Sequence, residues 1–534
     1  MSILVNNIRI SLEAPEEEAF AQAYQQCGLT AGDAAASVYR ESLDARRGTV
    51  TRVLTVELTG CEQEEALVER RGKTNIRCRT TLAQPKATGT QRLEHRPVVV
   101  GLGPAGLFAA YVLAQNGYRP LVLERGDCVE QRDQAVERFW KQGQFCTQSN
   151  IQFGEGGAGA YSDGKLTTRI HDPRSELVLD ILCRHGAPEE IRRKAKPHIG
   201  TDVLKDVVRR MREEILRMGG EIRFRTQLTA VHQKNGRLCA ITANGEEIPC
   251  EQAIAAIGHS ARDTFVQLHE CGIYMEPKPF SVGARIEHLQ SEIDRARYGK
   301  AAGHPLLPPA EYTLSHRQNG RACYSFCMCP GGHVVAAQSE EHTIVTNGMS
   351  YHARDGRNAN AAIVVSVDPA DFDGTSVFRG VEFQRKIERA AYQMTGSYRA
   401  PCQRVGDFLE GRPSRTHGSV EPTYPMGVEY GSLDGVLPEF VLREMRDGLR
   451  VFGRKIRGYD APDALLTGPE TRTSSPIRIV RGEDRYSVEL LGFMPCGEGA
   501  GYAGGIMSAA VDGLACAEEL LKRYRPLDDE IGGI

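Results

Sequence analysis

The stretch PVVVGLGPAGLFAAYVLAQNGYRPLVLERG, Pro97 to Gly126, decides the fold of this chain. Its apolar run Val98–Val100 predicts a buried strand, which a glycine-rich turn follows. An apolar helix then leads to a second predicted strand at Pro120–Leu123. A strand, a glycine turn, a helix and a second strand are the parts of a βαβ unit that binds a dinucleotide.

Each glycine of the turn has a physical task. Gly101 makes the tight turn, Gly103 lets the backbone approach a pyrophosphate, and Gly106 lets the helix pack closely on the strand. The first N–H groups of the helix face the anion. Glu124 ends the second strand 18 residues beyond Gly106, where its carboxylate can accept ribose hydroxyls and disfavours a 2′-phosphate. This spacing predicts a dinucleotide site.

An insertion after the second strand favours FAD over NAD as the dinucleotide. Gly220–Gly258 is typical of a β-meander, with Asn-Gly hairpin turns at Asn235 and Asn244 and a returning strand at Ala253–Ile257. Simple NAD dehydrogenases do not usually need such an insertion.

A second glycine-rich loop opens a helix near the end of the chain. This segment is PCGEGAGYAGGIMSAAVDGLACAEELL, Pro495–Leu521. A helix N-terminus aimed at a flavin ring would stabilise the negative charge that builds there on reduction. Glu498 in the loop is suited to bind ribityl hydroxyls, or to serve as an acidic helix cap.

Composition narrows the class of protein. The chain has 534 residues, enough for about three domains, with 41% apolar residues, 25% charged residues and a net charge of −3. These values are typical of a folded globular protein without the basic footprint of a dedicated nucleic-acid binder. The fifteen scattered cysteines and the acidic N-terminal segment, which lacks a signal-peptide pattern, predict a cytoplasmic protein. Pro97–Tyr118 is uncharged, but its glycines argue against a membrane span.

The predicted fold class is α/β, with a discontinuous Rossmann-like FAD domain, an inserted β-rich substrate domain and a small N-terminal α/β domain. In the N-terminal domain we expect helices at Glu16–Cys27 and near Ala34–Tyr39, with strands at Ile3–Leu12 and Val50–Leu58. The predicted boundaries are 1–80 for the N-terminal domain, 81–96 for a linker, 97–275 and 466–534 for the two parts of the FAD domain, and 276–465 for the substrate domain.

The whole chain resembles a known family. Its fingerprint and second glycine loop are similar to those of the glutathione-reductase-like flavoprotein superfamily. Further segments resemble an uncharacterised bacterial family of FAD-dependent dehydrogenases, also described as NAD(P)/FAD-dependent oxidoreductases: Ser42–Arg46, Ile151–Arg169, Lys196–Asp202, Cys327–Val334, Asn347–Ala362 and Glu470–Ile479. The resemblance implies FAD and a bipartite FAD domain, but no substrate. Where the superfamily usually carries Gly-Asp in the late loop, this chain has Gly497-Glu498.

Two polar segments are expected near the flavin. The resemblance places the glycine-rich segment Phe153–Leu166 where related flavoproteins cover the flavin, with Lys165 as a cation near the ring or pyrophosphate; the alternative is a surface loop with a solvated lysine. Glu470–Ser475 is interpreted as wall of the active-site cleft or as a structural turn. The predicted cofactor contacts are Gly101, Gly103, Pro104, Ala105, Gly106, Glu124, Arg125, Gly156, Gly157, Lys165, Gly258, Gly497, Glu498, Gly504, Gly505 and Ile506; no catalytic residue and no metal ligand is assigned.

The tightest cysteine cluster is Cys323, Cys327 and Cys329. Three thiolates could begin a metal or iron–sulfur site, but no fourth ligand lies at a suitable spacing. Redox-active thiols facing the flavin are a second alternative. The interpretation we adopt is that of small buried core residues.

These observations predict an FAD-dependent oxidoreductase, a dehydrogenase that transfers hydride between the flavin and an organic small molecule. No second glycine fingerprint is followed by a strand and an acidic residue, so no dedicated nicotinamide domain is expected. The electron donor or acceptor stays open. An RNA-modifying flavoenzyme and a flavin-binding sensor without turnover are the alternatives, and the acidic charge balance argues against the former.

Overall fold

The computed structural model describes residues 1–46, 48–72, 74–80, 82–168 and 170–527. The N-terminal part is one antiparallel sheet, in the order β2-β3-β1-β4, with two helices. Its elements are β1 (Ser2–Ser11), α1 (Glu16–Cys27), β2 (Ala35–Asp44), β3 (Thr51–Thr59), α2 (Glu64–Arg71) and β4 (Ile76–Arg79).

The predicted helix near Ala34–Tyr39 is wrong, because this segment belongs to strand β2. The strand pairs with β3 from Ala35 opposite Thr59 to Asp44 opposite Thr51. Alanine is a strong helix former, but valine and tyrosine at Val38 and Tyr39 favour a strand, and the hydrogen bonds to the open edge of β3 outweigh the preference of the alanines.

A parallel sheet of five strands, in the order β23-β11-β5-β6-β7, forms the second body. The elements of this part before the long insertion are β5 (Val98–Val100), α3 (Pro104–Gln115), β6 (Leu121–Leu123), α4 (Val129–Gln142), α5 (Arg174–Arg184), α6 (Glu190–Arg193), α7 (Thr201–Arg217), β7 (Glu221–Arg223), β8 (Leu228–Lys234), β9 (Arg237–Ala243), β10 (Glu246–Pro249), β11 (Ala253–Ala255) and α8 (Arg262–Glu270). Strands β8 to β10 form the predicted meander, and Asn235 and Asn244 both adopt positive φ at its turns.

The inserted part is built on a mixed sheet of seven strands, in the order β14-β15-β18-β13-β21-β19-β20. The remaining elements are β12 (Met275–Pro277), β13 (Phe280–Leu289), α9 (Gln290–Tyr298), β14 (Ser315–Gln318), β15 (Arg321–Cys329), β16 (His333–Ala336), β17 (Thr346–Met349), β18 (Asn358–Val367), α10 (Arg379–Thr395), β19 (Ala400–Arg404), α11 (Val405–Glu410), β20 (Val428–Tyr430), α12 (Glu439–Lys455), β21 (Leu465–Glu470), β22 (Ile477–Ile479), β23 (Phe493–Pro495) and α13 (Ile506–Arg523). The fold is therefore α/β, with one parallel and one mixed main sheet.

Part of the segment predicted as a linker, from Thr88 to Leu93, packs on the parallel-sheet body. The N–H groups of Thr88 and Gly89 donate to the carbonyl oxygen of Leu521, and that of Gln91 donates to Arg523, at the end of α13. Leu93 is buried in the same core. The domain boundaries themselves stay a prediction.

The apolar stretch from Pro97 is divided between β5 and α3 by the glycine turn. Across the described ranges, no helix is both long enough and apolar enough to cross a bilayer. Every residue of α3 from Ala105 to Ala114 is buried, because the helix packs on the sheet, on α7 and on α13.

The contact of α3 with α13 depends on a glycine. A methyl group at Gly513 would lie 2.0 Å from the carbonyl oxygen of Ala105, far inside van der Waals contact. We expect Gly513→Ala to lower the free energy of unfolding by about 1–3 kcal/mol or more, because backbone must move to admit the methyl group. The exposed Gly435, where a methyl group meets no atom within 4 Å, offers the control Gly435→Ala. Equal thermal midpoints for both variants would contradict this packing.

Candidate dinucleotide site

The two glycine-rich loops lie side by side, although about 400 residues separate them in the sequence. Strand β5 ends in the first loop and β23 in the second, and both pair in parallel with β11. Carboxyl ends of parallel strands meet at one edge of a sheet, where open α/β sheets bind their ligands. A methyl group at Gly497 would lie 2.8 Å from Cβ of Ala105, so the loops are packed against each other.

A cleft opens at this edge of the sheet and encloses about 1490 Å³ of space, including its mouth. Both helices that follow the glycine loops, α3 and α13, begin at its wall. Two helix N-termini give one cleft two sets of unpaired N–H groups, which favours an anionic ligand. Twelve of the predicted contact residues line the cleft: Gly101, Gly103, Pro104, Ala105, Glu124, Arg125, Gly157, Lys165, Gly258, Glu498, Gly505 and Ile506.

Four predicted contacts are not on the cleft wall and shape the loops instead. A methyl group at Gly106 would lie 1.8 Å from the carbonyl oxygen of Gly101, so this position holds α3 against the turn. Gly156 donates to the carbonyl of Leu102, Gly497 donates to the Asp512 carboxylate, and Gly504 donates to the Ser508 hydroxyl.

Glu124 is buried at one end of the cleft and fixes three backbone segments. Its Oε2 accepts from the N–H of Leu102 at 2.8 Å, and its Oε1 accepts from Gly126 at 2.8 Å and Gly154 at 3.0 Å. A carboxylate offers about four acceptor sites, so one remains for a ligand hydroxyl. The sequence pattern did not predict that Glu124 also ties the segment after Phe153 to the first glycine turn.

Arg125 lies beside Glu124 and is held in place. Its guanidinium makes a double contact with Asp263, at 2.9 and 3.0 Å, and lies 3.9 Å above the ring of Phe153. Thr226–Leu228 line the cleft at the same place. We call this region, Glu124, Arg125 and Thr226–Leu228, the first end of the cleft; the role of Asp263 was not visible in the sequence.

The segment Phe153–Leu166 lies against the first glycine turn rather than on the surface. Arg132, which is completely buried, donates to the carbonyls of Asn150, Ile151 and Glu155 at 2.8, 2.7 and 2.6 Å. A methyl group at Gly157 would lie 3.0 Å from Cα of Gly103. The segment therefore forms one wall of the cleft.

Five charged and thiol side chains form a further part of the cleft wall, which we call the polar end: Lys165, Cys327, Glu470, Arg472 and Glu498. Glu470 lies at the end of β21 and Arg472 lies in the turn after it. Both line the cleft, in agreement with the interpretation of Glu470–Ser475 as cleft wall. Cys327 comes from β15 of the mixed sheet. Both strands belong to the mixed sheet, so the inserted part of the chain borders the polar end.

The ammonium group of Lys165 is paired at the cleft wall. It lies 2.8 Å from the buried carboxylate of Asp163 and 3.5 Å from Glu311. Burial opposes the charge on Lys165, but Asp163 and Glu311 together outweigh burial and raise the pKa of the lysine. Asp163 also accepts from Arg354 and from the Ser350 hydroxyl. Lys165 is thus a fixed cation rather than a solvated one.

Arg472 belongs to a buried ionic network behind the cleft. Both Arg472 and Arg262 contact the carboxylate of Glu388, at 3.1 and 2.8 Å. Although burial acts in the opposite direction, the two arginines hold the pKa of Glu388 below its usual value. Since Arg262 belongs to α8 and Glu388 to α10, this network joins the two bodies.

The three clustered cysteines do not converge on one point. Cys323 packs on α12, where a methyl group at Gly448 would lie 2.4 Å from its sulfur. Cys327 borders the cleft and Cys329 is buried beside it. Among the described residues, they do not form a set of three adjacent ligand atoms.

Burial raises the pKa of Glu498 from 4.5 to about 7, with the Gly505 N–H and Lys278 acting against the increase. An acid whose pKa is higher in the folded state stabilises the fold below pH 4.5, and this contribution is lost as the pH rises through 7. We therefore expect Glu498→Gln, in protein stripped of nucleotide, to match the parent at pH 4.5 and to exceed it by about 1–3 kcal/mol of unfolding free energy at pH 8. Thermal unfolding across this range measures the difference.

Glu311→Gln is the matched control for this pH experiment. Burial raises the pKa of Glu311, but Lys165 and Lys196 outweigh it and lower the pKa. Its stabilising contribution is present above the unfolded pKa, so the control variant should lose stability at pH 8. A stability difference for Glu498→Gln that does not change with pH would contradict the raised pKa of Glu498.

This chain is similar to a described protein family and to a bacterial protein. Residues 279–473 match a family model described as "FAD-dependent protein, C-terminal domain-like". A protein of Clostridium beijerinckii, described as uncharacterized, is 46% identical over 529 residues, which cover 98% of this chain and 99% of that protein.

Solved structures give only weak likenesses. A geranylgeranyl bacteriochlorophyll reductase-like protein from Thermoplasma acidophilum is 14% identical with a TM-score of 0.34, and covers 81% of this chain and 79% of its own. Glycine oxidase from Bacillus cereus is 10% identical with a TM-score of 0.30, and covers 80% of this chain and 95% of its own. Likenesses of this size carry no weight for the substrate.

The identity to the clostridial protein extends over nearly all of both chains, and the matched model confirms FAD as the predicted cofactor. FAD is the cofactor of this protein, and the chain belongs to the same family as the Clostridium beijerinckii protein.

Proposed function

We propose that this protein is an oxidoreductase in which FAD exchanges hydride with an organic small molecule. The observation that carries the proposal is that a single cleft brings all of these groups together. Its wall includes the first end at Glu124, two helix N-termini, and the polar end with Lys165 and residues of the mixed sheet. A long dinucleotide and a substrate beside it need such a continuous cleft.

The cleft residues fit FAD. Gly103 leaves space where a side chain would stand, and the N-termini of α3 and α13 supply N–H groups for phosphate and flavin oxygens. Glu124 has one acceptor site left for a ribose hydroxyl. The first end would hold the adenosine half, and Glu498, Gly505 and Ile506 would hold the flavin half.

The polar end would hold the substrate against the flavin. FAD supplies a two-electron acceptor or donor when bound. Lys165 would stabilise the negative charge that a reduced flavin carries, and it needs no reorganisation because Asp163 already fixes it. Phe326, Asn347 and Arg472 would form the substrate wall from the inserted part of the chain.

Hydride transfer is tested by deuterium label. Protein reconstituted with 5-deaza-FAD, which accepts hydride but resists single-electron reduction, is mixed anaerobically with NADH deuterated at C4. We expect deuterium in the deazaflavin, measured by mass spectrometry after its release. Reduction of FAD itself should need millimolar nicotinamide and favour NADH or NADPH by less than about tenfold, because no dedicated nicotinamide domain is expected. Absence of label would contradict hydride transfer, and micromolar saturation with one strongly preferred nicotinamide would contradict the open cleft.

Substitutions at two glycines of the first loop distinguish an effect on cofactor binding from an effect on folding. Gly103 has an extended backbone that any residue adopts, and a methyl group there would lie 3.7 Å from the nearest atom, Cα of Gly157. Gly103→Ala should therefore fold normally but weaken FAD binding at least tenfold, about 1.4 kcal/mol, because the methyl group enters the cleft. Gly106→Ala should instead destabilise the fold. Fluorescence titration with FAD and thermal unfolding measure the two effects, and full FAD affinity in Gly103→Ala would contradict this placement.

A further inference from the structure

Cys327 occupies an irregular position in strand β15. Phe326 pairs with Ala362 and Cys329 pairs with Asn360, so one extra residue lies between them and forms a β-bulge. Cys327 adopts φ of 45°, a left-handed conformation that is uncommon for residues other than glycine. Such strain is often found at functional sites. The bulge places Cys327 on the wall of the polar end.

Cys329 lies next to Cys327 and is completely buried. The thiol of Cys329 donates to the carbonyl oxygen of Cys327 at 3.3 Å. One guanidinium nitrogen of Arg285 donates both to the same carbonyl, at 2.6 Å, and to the sulfur of Cys329, at 3.4 Å. Both cysteines are therefore held against the same buried cation.

The charged groups around the pair come from several elements. Arg285 on β13 and Lys165 favour a thiolate, whereas the carboxylates of Asp163, Glu470 and Glu498 oppose it. Glu470 is itself paired with Arg285, at 2.9 and 3.1 Å. The neighbouring Cys329 thiol, Arg285 and Lys165 together outweigh burial and lower the pKa of the Cys327 thiol to about 6. Cys327 and burial raise the pKa of Cys329 well above its usual value.

We propose that Cys327 and Cys329 form a redox-active dithiol that exchanges two electrons with FAD in the cleft. The proposal rests on FAD binding there, but not on the organic substrate. In the exchange the two sulfurs lose two protons and two electrons as the S–S bond forms, and FAD takes up both to become FADH₂. Cys327 is the half-buried cysteine that lines the cleft, and Cys329 is the buried one that closes the disulfide. This assignment replaces the expectation that all three clustered cysteines are core residues; only Cys323 keeps that role.

The thiol state is tested on protein without FAD. Alkylation by iodoacetamide is followed from pH 4 to 10, with peptide mass spectrometry to quantify each cysteine. We expect half-maximal alkylation rate at Cys327 near pH 6, and a shift to higher pH in Cys329→Ala. Cys323→Ala is the matched control, since burial raises the pKa of that thiol to about 12 and it faces away from the cleft. Alkylation of Cys327 only above pH 8 would overturn the proposal.

The electron count is tested on the holoprotein. Air-oxidised protein is titrated with dithionite under anaerobic conditions, and its non-reduced peptides are examined for a Cys327–Cys329 disulfide. We expect four electrons per FAD in the parent and in Cys323→Ala, and two in Cys327→Ala and in Cys329→Ala. Two electrons in the parent would overturn the proposal without any variant. Failure of deuterium transfer from NADH would remove the proposed hydride reaction and leave this count unchanged.

Discussion

The close approach of α3 and α13 is the contact on which the rest of the structure depends. Gly513 meets the carbonyl of Ala105, and Gly497 meets its side chain, so the backbone of the second loop lies directly on the first glycine turn. Any larger residue would separate two segments that the sequence places about 400 residues apart. The cleft lies between these segments. Contacts that only glycine permits therefore set the width of the cleft and the positions of its two helix N-termini.

Buried ion pairs hold the parallel-sheet body and the inserted part of the chain together. Glu388 on α10 receives Arg262 from α8 and Arg472 from the turn after β21. Removing one member of such a network leaves a buried charge without its partner, which costs more than the contact itself contributes. Arg285 and Glu470 repeat this arrangement beside Cys327. Buried ion pairs thus fix the orientation of the inserted sheet where it borders the cleft, while apolar packing supplies the cores of each body.

The sequence predicted the local elements well where the pattern alone determines them. The first βαβ unit and both Asn-Gly hairpins follow from residues close in sequence, and they are present. The helix near Ala34–Tyr39 was wrong because pairing with β3 is a long-range effect. Asp263 beside Arg125 and Arg285 beside Cys329 were missed for the same reason. No spacing rule connects residues that only the fold brings together.

The bulge at Cys327 shows how far the spacing of cysteines can mislead. Read as a regular strand, Cys323, Cys327 and Cys329 would all lie on one face of β15 and share one environment. The extra residue changes this alternation after Phe326. Cys323 then stays against α12, whereas Cys327 reaches the cleft and Cys329 stays under Arg285. One inserted residue therefore divides a uniform motif into a packing thiol and a pair of thiols under a buried cation, at the point where the inserted sheet meets the cofactor cleft.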